Sequence, residues 1–476
     1  MFTHVLALFV ASFFSTAALA EEVDVAIIGG GLAGLSAAKS IAAAGKTFAI
    51  LEARDRVGGR VLNVPLAGGA ALEVGAEFVG PTQDRVLALA ADLGLTTYPT
   101  YSQGNSSLLQ NGSVILYPSD QIIPPLEPNT IFELGALLQE VNALAAEIDV
   151  QAPCNHVNAS EWDSITLSSF LDARNLSSDA RVLVDTIIPV IFSAETSELS
   201  LLYTLSYVSA AGNETTIGTL DRLIQVAGGA QESRISGGAQ LLALGLSEKL
   251  GQSNIYLNAP VRKIKFHAGR HKVISDRVQI FAKKVIVSMS PPMAARISYD
   301  PPLPAGRDQL TQRMPMGSIG KAIAIYPTPW WREAGLNAQG IADTGIIRTT
   351  FDNTPPGSSY GAIMGFIEAD QMRQADALDE EQVNGLVIES LVSIFGPRAA
   401  EPTRIILQRW DLEEFSRGGP VAFAPPGVLT GYGTYLRAPT GGIHFAGTET
   451  SPYWTGYMDG AIRSGERAAA EVLRSL

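Results

Sequence analysis

The chain has 476 residues, of which 46% are hydrophobic and 17% are charged. This apolar content excludes a disordered protein, and the length exceeds what one hydrophobic core usually supports, so at least two lobes are expected. The formal net charge of −13 disfavours a nucleic-acid partner, which would require clustered lysine and arginine side chains.

The first predicted element is a secretory signal peptide over residues 1–20. An apolar run of moderate length ends in Ala18, Leu19 and Ala20, and small residues at the last and third-last positions are typical of a cleavage site. A transmembrane anchor is the alternative, but the run is short and a folded domain follows it directly. The sequence therefore predicts a secreted protein without a membrane anchor.

Glycosylation motifs and cysteine content are the next features that bear on a secreted protein. Asn-X-Ser/Thr sequons cluster in one part of the chain and predict an exposed, glycosylated lobe. They begin at Asn105, Asn111, Asn158, Asn175 and Asn213. The single cysteine, Cys154, excludes both an intrachain disulfide and a metal cluster built from thiolates.

A β-α-β unit is predicted directly after the signal peptide. VDVAIIGG is a short, apolar strand pattern, and LAGLSAAKSIAAAG is an alanine-rich helix pattern that ends near Gly45. TFAILEARD then predicts a second buried strand. The unit spans about 30 residues, which is the size of a crossover connection in a parallel sheet.

The turn between the first strand and the helix carries a dinucleotide-binding pattern. Gly29, Gly31 and Gly34 fit G-x-G-x-x-G. The first glycine permits a tight turn, the second lets a pyrophosphate approach the backbone amides, and the third lets helix and strand pack closely. Glu52 ends the second strand, where a carboxylate accepts hydrogen bonds from ribose hydroxyls. These features together predict a nucleotide site.

The rest of the chain alternates between helical and strand-like patterns. A helix-rich region covers about 130–210, a strand-like region about 255–290, and a mixed region rich in proline and glycine about 300–400. The chain ends with a β-turn-α pattern. This order predicts one lobe assembled from separated pieces, with a second lobe inserted between them.

The segment after Glu52 favours FAD over a nicotinamide dinucleotide. Ala53 and Arg54 lead into Gly59 and Arg60, and a nicotinamide enzyme has no particular need for this extension. With it, the sequence resembles the flavin amine oxidase family, and by pattern it is most similar to the monoamine oxidases. Similar segments follow in the family's order along nearly all of the mature chain, at 77–83, 161–163, 193–196, 315–321, 447–450 and 454–461.

The resemblance implies an α/β, two-lobed FAD-dependent amine oxidase fold. A discontinuous Rossmann-like FAD-binding domain would combine residues 21–100, 235–300 and 405–476. A mixed α+β substrate-binding domain would combine residues 101–234 and 301–404. The implied partners are a small amine, most simply a primary one, and oxygen, with an aldehyde, ammonia and hydrogen peroxide as products.

The implied cofactor is FAD held without a covalent bond. Where the monoamine oxidases carry a flavin-linking cysteine followed by a tyrosine, this chain has Gly419 and Pro420. The residues implied to bind the cofactor come from distant parts of the chain: Gly29, Gly31, Gly34, Glu52, Ala53, Arg54, Gly59, Arg60, Val261, Trp410, Gly447, Thr448, Glu449 and Met458.

Two residues are the candidates for catalysis. Lys321 begins a strand pattern, and the equivalent lysine of the family reaches the flavin through a water and assists the reaction with oxygen. Tyr457 matches an aromatic wall beside the amine, while Gln231 and Trp454 are the further substrate candidates. The second tyrosine of the family's pair is absent at Pro420, and Phe423, Trp454 or Trp410 are the candidates to replace it.

Several alternatives stay open. A polyamine or L-amino-acid oxidase would share the flavin motifs, a tailoring oxidase would act on a non-amine metabolite, and a flavin-binding protein without turnover would have lost its reactive residues. A serine hydrolase is disfavoured because the G-x-S-x-G spelling at 357–361 follows two prolines in a loop. No metal site is expected, because His267 and His271 lack a third ligand nearby.

Overall fold

A computed structural model describes residues 20–66 and 71–476. The predicted signal peptide lies outside the described residues except for Ala20, which is the first residue of β1. The strands are β1 (Ala20–Ile28), β2 (Phe48–Leu51), β3 (Asn63–Pro65), β4 (Ala71–Glu73), β5 (Phe78–Val79), β6 (Thr97–Pro99), β7 (Asn105–Gln110), β8 (Ser113–Pro118), β9 (Ser233–Ile235), β10 (Ile255–Tyr256), β11 (Val261–His267), β12 (Arg270–Ser275), β13 (Gln279–Ser288), β14 (Ser298–Asp300), β15 (Ile319–Tyr326), β16 (Leu336–Ala342), β17 (Thr349–Asp352), β18 (Gly361–Glu368), β19 (Arg404–Arg409) and β20 (Ile443–Ala446).

The α-helices of the described residues are α1 (Leu32–Ala43), α2 (Asp84–Asp92), α3 (Pro128–Ala146), α4 (Ala159–Ser164), α5 (Leu167–Asp172), α6 (Ser178–Phe192), α7 (Leu201–Ser209), α8 (Leu220–Ile224), α9 (Gln240–Leu250), α10 (Pro291–Ala294), α11 (Ala305–Arg313), α12 (Trp330–Glu333), α13 (Ala369–Ala375), α14 (Glu380–Phe395), α15 (Val428–Tyr432) and α16 (Met458–Ser475). Within the described residues, no helix combines the length and the apolar character needed to cross a bilayer.

The first sheet contains the predicted β-α-β unit. Its strands follow the order β10-β2-β1-β13-β12-β11-β14, and β20 adds to β13. β1 pairs in parallel with both β2 and β13, so α1 is the crossover between two parallel neighbours. The apolar side chains of residues 23–28 in β1 and of β2 are buried because such a sheet is covered on both faces.

Helices α1, α9 and α16 share one core with this sheet. α1 and α16 approach closely because Gly465 has no side chain: a Cβ there would lie 2.1 Å from the carbonyl oxygen of Ala33. The end of the chain therefore returns to the beginning, as the final β-turn-α pattern predicts.

The second sheet is built from the two inserted regions. Its order is β19-β15-β18-β17-β16-β7-β8, and its pairs are antiparallel apart from β16 with β7. Helices α3 to α8 form a separate core over the helix-rich region. The mixed α/β fold with two lobes is thus confirmed. The predicted domain boundary at 405 falls inside β19, which pairs with β15 in the second sheet, so the chain rejoins the first sheet only at β20.

Candidate active site

One cavity runs from the β1–α1 turn to the second sheet. It includes about 2210 Å³ free of protein atoms, counting its open mouth. Most of the predicted site residues line it: Gly29, Gly31, Glu52, Ala53, Arg54, Gly59, Arg60, Gln231, Val261, Lys321, Trp410, Gly447, Thr448, Tyr457 and Met458. Gly34, Glu449 and Trp454 are predicted site residues that do not line it.

The glycines of the β1–α1 turn differ in what surrounds them. A Cβ at Gly31 would meet only the Cα of Gly59, at 4.0 Å, so the backbone is open to the cavity here. A Cβ at Gly34 would lie 2.0 Å from the carbonyl oxygen of Gly29, so the absence of a side chain lets helix and strand pack closely, and Gly34 itself does not line the cavity. Because α1 begins at Leu32, its unpaired amides and the positive end of its dipole face the cavity. This arrangement suits a phosphate group.

Glu52 is held in a fixed orientation at the end of β2. Its Oε2 accepts from the amide of Gly30 at 2.6 Å, and its Oε1 accepts from the amide of Arg54 at 2.9 Å. The carboxylate is buried and also lines the cavity. Since each oxygen can accept more than one hydrogen bond, capacity remains for sugar hydroxyls.

Arg60 lines the cavity, while Glu449 lies behind it. The Nη1 atom of Arg60 donates to Glu449 Oε1 at 3.0 Å and to the carbonyl oxygen of Pro420 at 2.5 Å. The amide of Ala422 also donates to Glu449 Oε1, at 3.3 Å. Glu449 thus orients Arg60, while its Oε2 has no hydrogen-bond partner among the described residues; its predicted contact with the cofactor stays a prediction.

Lys321 is the third residue of β15, where that strand borders the cavity, and it is buried. Its Nζ donates to the carbonyl oxygens of Gly75 at 2.7 Å and Glu73 at 3.1 Å, and it lies 3.2 Å from Glu77 Oε2. Burial lowers the pKa of Lys321, while the charges of Glu77 and Glu73 oppose this shift.

The two carboxylates beside Lys321 belong to a larger buried group. Arg234 of β9 pairs with Glu73 and approaches Glu77 Oε2 at 4.0 Å. Asn353 Nδ2 donates to the same oxygen of Glu77 at 2.9 Å. Sequence reasoning did not bring these residues together, because they come from segments that meet only in the folded chain.

Tyr457 lies at the N-terminus of α16 and lines the cavity. Its ring contacts Trp454 edge to face, with centroids 4.8 Å apart, and its centroid lies 6.3 Å from that of Tyr207. Burial raises the pKa of the Tyr457 phenol, so this side chain is neutral. Tyr207, which sequence reasoning missed, also lines the cavity and presents a second tyrosine beside Tyr457.

The three candidates to replace the missing tyrosine at Pro420 differ in whether they reach the cavity. Trp454 is buried behind Tyr457, with its Nε1 donating to the carbonyl oxygen of Thr82 at 3.1 Å, and Phe423 belongs to the core of the helical region. Trp410 alone of the three lines the cavity, and its Nε1 donates to the carbonyl oxygen of Val74 at 2.9 Å. Trp454 does not line the cavity, since its ring lies against that of Tyr457, and its predicted contact with the substrate stays a prediction.

The wall near Lys321 and Tyr457 is mostly apolar. Gln231 lines it, with its Nε2 donating to the carbonyl oxygen of Leu223 at 3.0 Å and its Oε1 unpartnered among the described residues. The apolar side chains here are those of Phe78, Val190, Ile191, Phe351 and Phe366. No sequence signal marks them, since they read as ordinary core residues.

Comparison with known proteins identifies the family. A family model described as flavin containing amine oxidoreductase matches residues 32–473. The chain belongs to this family. A Mycobacterium tuberculosis protein described as a flavin-containing monoamine oxidase, AofH, is 40% identical over 450 residues, covering 94% of this chain and 96% of its own length. Human amine oxidase [flavin-containing] B is 34% identical, covering 96% of this chain and 87% of its own.

Solved structures of the flavin amine oxidase family share the fold. Putrescine oxidase bound to putrescine superposes with a TM-score of 0.90 at 31% identity, covering 96% of this chain and all of its own. Cyclohexylamine oxidase from Brevibacterium oxydans superposes with a TM-score of 0.89 at 32% identity, covering 95% and 99%. The protein is therefore an FAD-dependent amine oxidase.

The residues of this amine oxidase fit FAD. The open backbone at Gly31 and the amides at the start of α1 suit the pyrophosphate, and Glu52 suits a ribose. The N-terminus of α16, at Tyr457 and Met458, also borders the cavity and favours negative charge there.

Replacing Glu52 by glutamine should weaken FAD binding by about tenfold or more, because the amide nitrogen would face one of the two backbone N–H groups that now donate to the carboxylate. The measurement is a titration of apoprotein with FAD, followed by flavin fluorescence. Glu381→Gln, an exposed residue of α14, is the matched control and should bind FAD like the wild type. Equal affinities in the two variants would contradict the assigned role of Glu52.

Proposed function

We propose that this FAD-dependent enzyme oxidises a primary monoamine with oxygen and releases an aldehyde, ammonia and hydrogen peroxide. FAD supplies the acceptor for the hydride equivalent that leaves the carbon bearing nitrogen. The observation that carries the proposal is the aromatic, apolar lining of the cavity, in which the neighbouring rings of Tyr207 and Tyr457 face the same space as Lys321.

The residues around this end would select a neutral, apolar amine. Tyr207, Tyr457 and Phe366 exclude water and lower the local polarity, which disfavours the ammonium form of a bound amine. Gln231 Oε1, which accepts no hydrogen bond from the described residues, could accept one from the amine N–H. The substrate would be held by shape and by few polar contacts.

Charge in the cavity wall argues against an amino acid as substrate. The lining arginines nearest the nucleotide end are already paired, Arg54 with Glu413 and Arg60 with Glu449. A substrate carboxylate would need an arginine at the aromatic end, and none lines that end among the described residues.

A diamine is the second candidate, because putrescine oxidase is among the similar solved structures. A second ammonium group would need a carboxylate of its own. Glu77 is the acidic residue at this end of the described wall, and its Oε2 is engaged by Lys321 and Asn353. The wall thus favours the monoamine.

A peroxide-release screen tests the substrate class. Arylalkylamines and alkylamines should give the highest kcat/KM, with putrescine and longer polyamines lower, and L-amino acids near background. A tailoring oxidase of non-amine metabolites, or a flavin protein without turnover, would yield no peroxide with any amine. That outcome would overturn the proposal, and a preference for putrescine would favour the diamine alternative.

Lys321 is proposed to assist the reaction with oxygen, because it offers a cation fixed by three acceptors at the aromatic end. Lys321→Met should slow reoxidation of the reduced enzyme by about 100-fold, the size typical for losing a preorganised electrostatic group. Stopped-flow mixing of photoreduced enzyme with oxygen measures this step without substrate. Lys46→Met, at an exposed lysine, should leave the rate unchanged, and unaltered reoxidation in Lys321→Met would remove Lys321 from the site.

We also propose that FAD is held without a covalent bond. Cys154 is the single thiol of the chain, its Sγ donates to the carbonyl oxygen of Leu429 at 3.1 Å, and it does not line the cavity. Gly419 and Pro420 do line it, and neither side chain can link to a flavin. Acid precipitation should therefore release the yellow chromophore into the supernatant, whereas colour in the pellet would contradict this.

The protein is further proposed to be a secreted glycoprotein. The sequon asparagines support this, since Asn105, Asn111 and Asn175 are exposed and Asn158 and Asn213 are half-buried. Sequencing the N-terminus of protein recovered from culture medium should give Glu21 as the first residue, and a retained residue 1–20 segment would count against secretion.

A further inference from the structure

Four charged side chains form a buried cluster at the end of the cavity. They are Glu73, Glu77, Arg234 and Lys321, and each is almost fully buried. Two are acids and two are bases, so the cluster is neutral when all four are ionised. Burial of such a group is tolerable only when each charge has a partner close by.

The N–H groups of Lys321 are fully used within this cluster. An ammonium has three donors, and the three acceptors at hydrogen-bonding distance are the carbonyl oxygens of Glu73 and Gly75 and the carboxylate of Glu77. Of these acceptors, Glu77 alone carries a charge on the contacting atom. The aromatic ring of Phe366 lies on another side of the lysine, 5.4 Å from Nζ.

The side chains of Glu73 and Glu77 have different partners. Glu73 pairs with Arg234, and its Oε1 also accepts from the amide of Ala239 at 3.1 Å, so its side chain is committed away from Lys321. Glu77 lines the cavity, and its Oε1 has no hydrogen-bond partner among the described residues. The negative charge nearest to Lys321 is therefore that of Glu77.

The remaining groups around the cluster do not replace this charge. Tyr98 lies against Arg234, with its ring centroid 5.5 Å from the guanidinium carbon, and Tyr360 is close to the same arginine. Burial raises the pKa of both phenols, so both are neutral. Asn353 is an uncharged donor to Glu77.

We propose that Glu77 is a positioning residue for the oxygen half-reaction: its carboxylate keeps the ammonium of Lys321 charged and aimed along the cavity wall. This inference rests on the proposed function, in which Lys321 assists the reaction of the reduced enzyme with oxygen. Glu77 acts through Lys321 and takes no part in binding the amine. This role also explains why a buried acid, Glu77, lines the cavity without serving as a subsite for a second ammonium group.

The proposal predicts a change in pH dependence. A lysine is charged below its pKa, and burial already lowers the pKa of Lys321. Removing the charge of Glu77 leaves a surplus positive charge in the cluster and lowers that pKa further, because an opposite charge within about 4–6 Å shifts a pKa by about one to three units. In Glu77→Gln, fast reoxidation should therefore be lost at a pH about one to three units lower than in the wild type.

The experiment is a double-mutant cycle on the FAD-loaded enzyme. Reoxidation of photoreduced Glu77→Gln, Lys321→Met, the double variant and the wild type is followed across neutral and alkaline pH. Glu77→Gln should shift the alkaline limb of the pH profile of the reoxidation rate to lower pH. In the Lys321→Met background, the same substitution should leave the profile unchanged. The double variant removes one charge of each sign, so it keeps the cluster neutral and remains informative if Glu77→Gln folds poorly.

Two further variants separate charge from structure. Glu77→Asp keeps a carboxylate, so the alkaline limb of its pH profile should lie close to that of the wild type. Asp163→Asn is the matched control, because Asp163 is an equally buried acidic residue, in α4, that does not line the cavity. This control should leave the profile unchanged.

A second readout needs no turnover. The absorption spectrum of the oxidised flavin is titrated with pH, and a transition caused by Lys321 should be absent in Lys321→Met. The same transition should move to lower pH in Glu77→Gln. A purely structural role for Glu77 would lower stability without moving this transition.

The outcomes distinguish the two proposals. If wild-type reduced enzyme is not reoxidised by oxygen, the proposed oxidase function fails and the role of Glu77 fails with it. If the wild type is reoxidised rapidly while Glu77→Gln keeps the wild-type profile, only the role of Glu77 is overturned. An equal effect of Glu77→Gln in both backgrounds would also overturn it, because Glu77 would then act independently of Lys321.

Discussion

The contact between Gly34 and the carbonyl oxygen of Gly29 is the constraint on which the nucleotide end of the molecule depends. There is no room for a Cβ at Gly34, so helix α1 starts directly against the end of β1. That close approach aims the first amides of α1 into the cavity. Glu52 then completes the site, because it accepts a hydrogen bond from the amide of Gly30 and so holds the end of β2 against the same turn. The close packing of α1 against β1 therefore places backbone amides at the edge of the sheet where a nucleotide would bind.

The buried charge cluster plays the corresponding part at the other end of the cavity. It joins the end of β4 and the segment that follows it, strand β9, which pairs with β5 and β6, and strand β15 of the second sheet. Breaking a buried pair by removing one partner costs about 3–5 kcal/mol, so these elements are held in register by charge as well as by apolar contact. The same cluster places Lys321 in the cavity wall, beside the ring of Phe366. The four residues of the buried charge cluster therefore hold these elements together and also position Lys321.

The sequence allowed much of the nucleotide end to be predicted. The strand, the glycine turn, helix α1 and the acid at the end of β2 lie within one short segment, where spacing and pattern determine local structure. The site at the aromatic end was less accessible. Lys321 and Tyr457 could be chosen from the family resemblance, but Tyr207 carries no motif and lies in a helix that reads as core. Trp454 and Glu449 belong to matching segments, yet one lies behind Tyr457 and the other behind Arg60.

What the amino-acid sequence determined by itself is therefore local or compositional: the β-α-β unit, the turn glycines, the position of Glu52, and the absence of a thiol at 419–420. Each of these depends on neighbouring residues or on residue identity alone. The tertiary structure decided which side chains reach the cavity and which only support those that do. The pairing of Glu77 with Lys321, and of Tyr207 with Tyr457, depends on how distant segments pack, and no spacing along the chain encodes that distance.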